Sequence, residues 1–328
     1  MNGGESAPAG REAVRLAVIG VGHLGRQHAR VASALPAARI VGVLDRHPGR
    51  ADEVGREFSL PVLRSLEEAA DKAEAVVVAT PTVTHADIAR FFLERGRDVL
   101  IEKPITATLE QADDLLALAR QTRRLVQVGH IERYNPAVEA AFGLLSEPRF
   151  VEVHRLGAFT GRSLDVDVVR DLMIHDLQIV GELVGHPALE IRAAGLPVLT
   201  PQVDIANARI AFEGGCVASL TASRVSPEKV RKFRVFAPSI YVSIDMLAQS
   251  ATAFRLSREH GRPEVVPVIL PVVTEEPLRR ELVDFVHCVR ERARPRVSGE
   301  AGRDALALAD RVVEAIEAHR RSVPEVPA

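Results

Sequence analysis

The sequence predicts a doubly wound parallel α/β sheet over residues 11–130, followed over 131–322 by an α+β domain with a long, mostly antiparallel sheet. Three observations carry this. An apolar run at 14–19 leads straight into Gly20-Val21-Gly22-His23-Leu24-Gly25, a complete G-x-G-x-x-G at a strand-to-helix junction. Apolar strands and helical patterns then alternate as far as residue 129. After about residue 130 the two-residue alternation of half-buried strands takes over, with Gly214-Gly215 as a hairpin turn.

The first strand spans 14–19 and its helix about 23–34. Gly20 permits the tight turn, Gly22 removes a side chain where a pyrophosphate would approach, and Gly25 lets helix and strand pack closely. The helix N-terminus offers unpaired N–H groups to phosphates. The second strand, 39–44, ends at Asp45, twenty residues beyond Gly25. A carboxylate there accepts hydrogen bonds from adenosine ribose hydroxyls and repels a 2′-phosphate, which favours NAD over NADP. Arg46 weighs the other way, because an arginine just past the strand suits a phosphate.

A helix follows at 48–57, a short strand at 62–63, a helix at 66–71 and the very apolar Ala75-Val76-Val77-Val78-Ala79. Such a run suits a parallel strand buried on both faces. A helix over 84–95 stops at Gly96, a strand over 98–101 runs into Glu102-Lys103-Pro104, a helix over 108–121 starts on Thr108, and a strand lies at 125–129.

Beyond residue 130 the pattern gives a helix at 136–145, a strand at 150–156 and a helix at about 168–184. Strands follow at 203–212, 217–222, 231–237, 240–246 and within 264–273, then helices at 276–292 and 300–319. The helix at 168–184 is expected to cover part of the sheet, and the other face to carry an apolar patch for a second subunit. The last helix is expected to return to the first domain. Residues 1–10 and 322–328 carry little pattern and are expected to fray.

At 328 residues the chain is long enough for two cores. A net charge of −2, two tyrosines and no tryptophan argue against sustained nucleic-acid binding. Cys216 and Cys288 have no zinc-site spacing and read as isolated buried thiols, which suits a reducing compartment. With no apolar leader and no run of membrane-spanning length, a cytoplasmic protein is expected.

Three stretches are expected at the carboxyl ends of the parallel strands, where open α/β sheets bind ligands. Thr80-Pro81-Thr82-Val83-Thr84-His85 follows a central strand; Thr80, Pro81 and His85 are candidates to line the ribose and pyrophosphate, though His85 also suits a plain helix start. Glu102-Lys103-Pro104 places a charged pair directly after a buried strand, and Pro104 restricts Lys103 to extended geometry. A held ammonium at Lys103 binds a substrate oxygen and favours the developing alkoxide, while Glu102 pairs with a cation or a ribose. In Arg170-Asp171-Leu172-Met173-Ile174-His175-Asp176, Asp171 and His175 are four apart and share a helix face that Gln178 and Glu182 continue. His175 reads as a proton-moving group presented to a cleft, with Asp171 orienting it. A chelating pair and a structural salt bridge are the competing readings, but no further ligands have metal spacing, so no metal is expected.

Together these residues imply hydride transfer from a secondary alcohol, with His175 taking the hydroxyl proton and Lys103 steadying the oxygen. Their order resembles the Gfo/Idh/MocA oxidoreductases over nearly the whole chain: the glycine fingerprint, Thr80-Pro81, Glu102-Lys103-Pro104, and Asp171 with His175. The resemblance implies an N-terminal Rossmann domain, a C-terminal domain with a large open sheet that mediates homodimers or homotetramers, and His175 as acid/base. The segments 129–137, with Arg133, Tyr134 and Asn135, and 161–169, with Arg162, resemble a bacterial subgroup that oxidises UDP-N-acetylglucosamine at C3 on the way to a lipid A amino sugar. Arg155 and Arg162 then become candidates for a diphosphate, or else surface charges. A dehydrogenase of a free sugar or inositol, and a non-enzymatic NAD-binding regulator, stand as alternatives.

Overall fold

The computed structural model describes residues 12–161, 166–258 and 262–322; both termini expected to fray lie outside these, apart from Ser322. The chain opens as β1 (Val14–Ile19), α1 (His23–Ser33), β2 (Ala38–Leu44), α2 (Pro48–Phe58), α3 (Leu66–Lys72), β3 (Ala75–Val78), α4 (His85–Glu94), β4 (Asp98–Glu102), α5 (Leu109–Thr122) and β5 (Val126–Gly129). The strands form one sheet in the order β2-β1-β3-β4-β5, parallel where β1 meets β2 and β3 and where β3 meets β4. All four residues of β3 are completely buried, as a central strand covered on both faces requires. The order reverses between β1 and β3, the kind of switch point at which open α/β sheets bind ligands beyond the carboxyl ends of the strands. The expected strand at 62–63 is a single bridge, Val43 to Val62.

The chain continues as α6 (Pro136–Phe142), β6 (Phe150–Leu156), α7 (Ile174–Val184), β7 (Ala188–Leu196), β8 (Ile205–Phe212), β9 (Val217–Ser223), β10 (Val230–Ala237), β11 (Ile240–Asp245), β12 (Ser250–Ser257), β13 (Glu264–Val268), α8 (Pro277–Glu291) and α9 (Gly299–Ser322). Eight strands form an open sheet in the order β13-β12-β11-β10-β6-β9-β8-β7. Neighbours are antiparallel except β6 and β9. One face buries Val153, Leu220, Phe233 and Val242 against Ile174, Leu177 and Val180 of α7 and Ala309, Val312 and Ile316 of α9.

The chain divides into two units. One takes residues through Glu102, Asp114–Gln127 and Glu281–Arg296; the other takes Lys103–Asp113, Val128–Arg280 and the chain from Val297. The late return to the first unit is therefore made by α8 from Glu281 onward. The last helix, expected to make it, stays in the second unit, because its apolar stripe fits α7 and β7. The expected helix over 168–184 also departs from regularity: Val169–Met173 forms a π-turn before α7 begins. Burial pushes the free thiols of Cys216 and Cys288 up to about 11 and about 12, which leaves both unreactive. No helix among the described residues is long and apolar enough to cross a membrane.

Candidate active site

In the first unit the glycine loop divides its labour. Gly20 sits at φ +83°, and a Cβ there would come within 2.7 Å of the Ala79 carbonyl oxygen. A Cβ on Gly25 would fall 1.8 Å from the Gly20 oxygen. These two glycines serve the close packing of β1, β3 and α1. Around Gly22, by contrast, nothing lies within 4 Å of where a Cβ would be. Gly22 is the N-cap of α1 and supplies no side chain to its first turn, where His23 and Leu24 are exposed. Open space before uncapped N–H groups fits a pyrophosphate.

Asp45 closes the other side of this loop. Its carboxylate accepts the Val21 N–H and the His47 N–H, each at 2.9 Å. The cation beside it is Arg50, at 3.5 Å, whereas Arg46 is exposed. Thr80 is held from below: the His85 ring nitrogen Nε2 lies 2.8 Å from the Thr80 carbonyl oxygen, and the Thr84 hydroxyl lies 2.8 Å from the Thr80 hydroxyl. His85 is buried at the start of α4, as the helix-start reading has it, and braces the Thr80-Pro81 loop.

Glu102, at the end of β4, meets a histidine of the first helix. Its Oε1 lies 2.6 Å from His28 Nε2 of α1, with both residues buried. Glu281 of α8 joins them, its two carboxylate oxygens buried with no hydrogen-bond partner among the described residues. Burial and the neighbouring Glu102 and Asp284 push Glu281 well above the usual carboxylate range. The three residues offer ligand atoms within 4.8 Å of one another. The short His28–Glu102 hydrogen bond already joins two of those atoms.

In the second unit Lys103 is anchored. Its Nζ donates to the Asp171 carbonyl oxygen at 2.5 Å and to the Asp171 carboxylate at 2.9 Å. Asp171 therefore orients Lys103 and not His175, contrary to the four-residue spacing. The π-turn is the physical reason: it breaks the 3.6-residue register that places residues four apart side by side. His175 is buried, not presented on an open polar face, and its Nδ1 has no hydrogen-bond partner among the described residues. Its ring meets His130 edge-to-face, with centroids 5.5 Å apart and planes at 87°. Burial first, then Lys103, His130, Arg155 and Arg231, hold His175 well below its ordinary 6.5. A neutral imidazole and a fixed ammonium are what proton removal from an alcohol needs.

The arginines and polar groups expected to reach a substrate are mostly spoken for. Arg155 donates to Asp176 from two nitrogens at 2.7 Å and to Glu132 at 2.9 Å, and is itself buried. Burial works against its charge, yet Asp176 and Glu132 raise its pKa further. Arg133 forks onto Glu182 with two 2.8 Å bonds and lies over the Phe142 ring. Tyr134 is a fully buried core residue. Asn135 caps α6 through the Ala137 N–H and donates to the Met246 carbonyl. Arg162 lies outside the described residues. Sequence reasoning missed His130, Glu132, Asp176 and Arg231. The Arg231 guanidinium shares the Glu132 carboxylate with Arg155, its cross-strand neighbour. His130 had a signal: it follows β5, as Asp45 follows β2.

Residues 14–130 match a family described as an oxidoreductase family with an NAD-binding Rossmann fold. Along 311 residues the chain is 36% identical to a UDP-N-acetylglucosamine 3-dehydrogenase from Acidithiobacillus ferrooxidans, covering 93% of this chain and 98% of that one. The solved structure of that enzyme superposes with a TM-score of 0.86 over 94% of this chain and 99% of the other. An inositol 2-dehydrogenase from Rhizobium meliloti is 26% identical over 94% of this chain and 98% of its own. An aldose-aldose oxidoreductase from Caulobacter crescentus, 18% identical, shares the fold with a TM-score of 0.81 over 94% of this chain and 98% of its own.

Proposed function

The chain belongs to the Gfo/Idh/MocA family of oxidoreductases, and from that membership we propose that it oxidises the C3 hydroxyl of UDP-N-acetylglucosamine to a ketone with NAD as cofactor. The observation that carries the chemistry is the second unit's pairing of an anchored Lys103 ammonium with a buried, neutral His175. The sugar nucleotide follows from the 36% identity to a dehydrogenase of that substrate over 93% of the chain.

NAD, when bound, supplies the acceptor for the hydride that leaves the carbinol carbon. The open position at Gly22 and the first turn of α1 hold its pyrophosphate, and Asp45 takes the adenosine ribose. His175 accepts the hydroxyl proton, and Nε2 is the nitrogen for it because Nδ1 is sealed. Lys103 steadies the oxygen as negative charge grows there, and Asp171 keeps the ammonium in place. Glu102 contributes at one remove, through its bond to His28. Arg162 remains the proposed partner of the substrate diphosphate. The 3-keto product suits a following amino-group transfer toward a lipid A amino sugar. A reducing cytoplasm suits the two free thiols.

Self-association belongs to the same reading. On the sheet face away from α7, Phe150, Phe236, Tyr241 and Phe254 are successive cross-strand partners whose rings touch in a row. We assign this row to a contact between copies of the chain.

The test mixes purified protein, NAD and UDP-N-acetylglucosamine and follows the absorbance of reduced nicotinamide. Turnover that exceeds that with free N-acetylglucosamine or inositol is expected. Faster oxidation of the free sugar or inositol would overturn the nucleotide reading, and NAD binding without turnover on any of them would favour a regulator.

A further inference from the structure

We propose that His130 is a positioning residue for His175, its ring fixing the plane of the other imidazole and the two histidines together carrying no more than one positive charge. This rests on His175 being the base named above. A histidine base usually takes its orientation from a carboxylate or carbonyl at its second nitrogen. His175 has none: its Nδ1 is buried without a partner among the described residues. The carboxylates nearby are engaged elsewhere, Asp171 on Lys103, Asp176 on Arg155, and Glu132 on Arg155 and Arg231. What holds the ring is packing, and the perpendicular contact with His130 is its aromatic part.

The second half of the proposal follows from distance and burial. His130 is completely buried and His175 nearly so, with ring centroids 5.5 Å apart. Two imidazolium charges that close, with little water between them, repel strongly. Lys103, from the turn after β4, Arg155 on β6 and Arg231 on β10 add to the opposition. A phenylalanine at position 130 would keep an aromatic ring against His175 and bring no charge. A histidine there also makes the base harder to protonate at rest.

The experiment titrates His175 by NMR in the full-length protein with its bound cofactor, its signal assigned by loss in His175→Asn. In His130→Phe the aromatic contact is kept and the ring nitrogens are lost. The His175 midpoint is expected to move up toward the ordinary histidine range, and the acid limb of kcat/KM to move with it. In His130→Ala the packing goes as well, and kcat is expected to fall roughly tenfold to a hundredfold with KM less affected. His130→Asn serves in place of the alanine variant if that one does not fold. A His175 midpoint unmoved in His130→Phe, or a truncated variant with unchanged kcat, overturns the proposal. The titration needs no substrate, so a failure to turn over UDP-N-acetylglucosamine leaves this test intact.

Discussion

Asp171 gives Lys103 two acceptors, its carbonyl at 2.5 Å and its carboxylate at 2.9 Å, and gives His175 none. The two groups that handle the alcohol are thus prepared in opposite ways. The ammonium is held in place by charge-assisted hydrogen bonds. The imidazole has no carboxylate partner at its buried Nδ1 among the described residues, and burial first, then the cations around it, hold its pKa down.

Removing the anchor is expected to hurt catalysis more than folding. Lys103→Met should lower kcat by about a thousandfold, the scale of losing a fixed electrostatic partner of a developing oxyanion. Asp171→Ala should cost roughly tenfold to a hundredfold, because Lys103 keeps its charge and loses its position. Steady-state kinetics with cofactor affinity measured separately checks both. Full kcat in either variant refutes its assigned role.

The low protonation tendency of His175 fixes the sign of two pH effects. Because the folded value lies below the ordinary 6.5, kcat/KM should hold on the acid side to a pH below that of a free histidine. Stability follows the same direction. As pH falls below about 6.5 the unfolded chain takes up a proton that the folded chain refuses, so folding free energy drops until the folded-state value is passed. His175→Gln should flatten that acid slope in urea titrations. An equally steep slope in the variant would place the proton uptake elsewhere.

Much of this was legible in the sequence where one stretch of chain does the work by itself. Gly20, Gly25 and Asp45 act within one βαβ unit, and Ala75–Val78 reads as a buried strand by composition alone. Strand-end logic also singled out Lys103, which the structure ties to Asp171. The same logic places Arg133 and Asn135, and the charge of Arg155 makes it a diphosphate candidate, without saying what these side chains meet. Arg155 finds Asp176 21 positions away, and Arg133 finds Glu182 49 positions away. The π-turn at Val169–Met173 has no signature in a 3.6-residue period. Strands β7 and β12 went unseen because Leu189 and Leu196 face solvent and Ser250 and Thr252 are small and polar, so neither shows a clean alternation.

Arg155 separates a structural from a ligand role. Arg155→Met leaves Asp176 and Glu132 buried without their main cation, a change that costs about 3–5 kcal/mol in comparable buried pairs. The expected outcome is a large fall in Tm. A variant with unchanged Tm and a raised KM for the sugar nucleotide would restore the diphosphate role that its burial argues against.

Glu281 gives the opposite pH slope in the first unit. Its carboxyl keeps a proton in the folded chain above the ordinary 4.5, so the unfolded chain binds fewer protons as pH rises and stability falls across that window. Glu281→Gln copies the neutral acid and should be the more stable protein at about pH 8, with little difference at about pH 5. Urea unfolding at both values decides it. Parallel behaviour of the two proteins would mean that Glu281 is ionised beside Glu102 after all.

The aromatic row on the eight-stranded sheet makes the last prediction. Phe236 and Phe254 are each 38% exposed, and Tyr241 lies between them with its ring centroid 4.7 Å from that of Phe236. Four adjoining aromatic side chains on one flat face present more apolar surface than scattered exposed residues do, and a sheet face of this kind is well suited to packing on another like itself. A two-fold contact would set the row of one copy against the row of the next, which needs no second partner. Phe236→Glu with Phe254→Glu sets four negative charges against one another across such a contact and leaves the buried face of the sheet untouched. Light scattering on the native protein should give the mass of two chains or more, and the double variant should give that of one. A native protein with the mass of a single chain at micromolar concentration would refute the assignment.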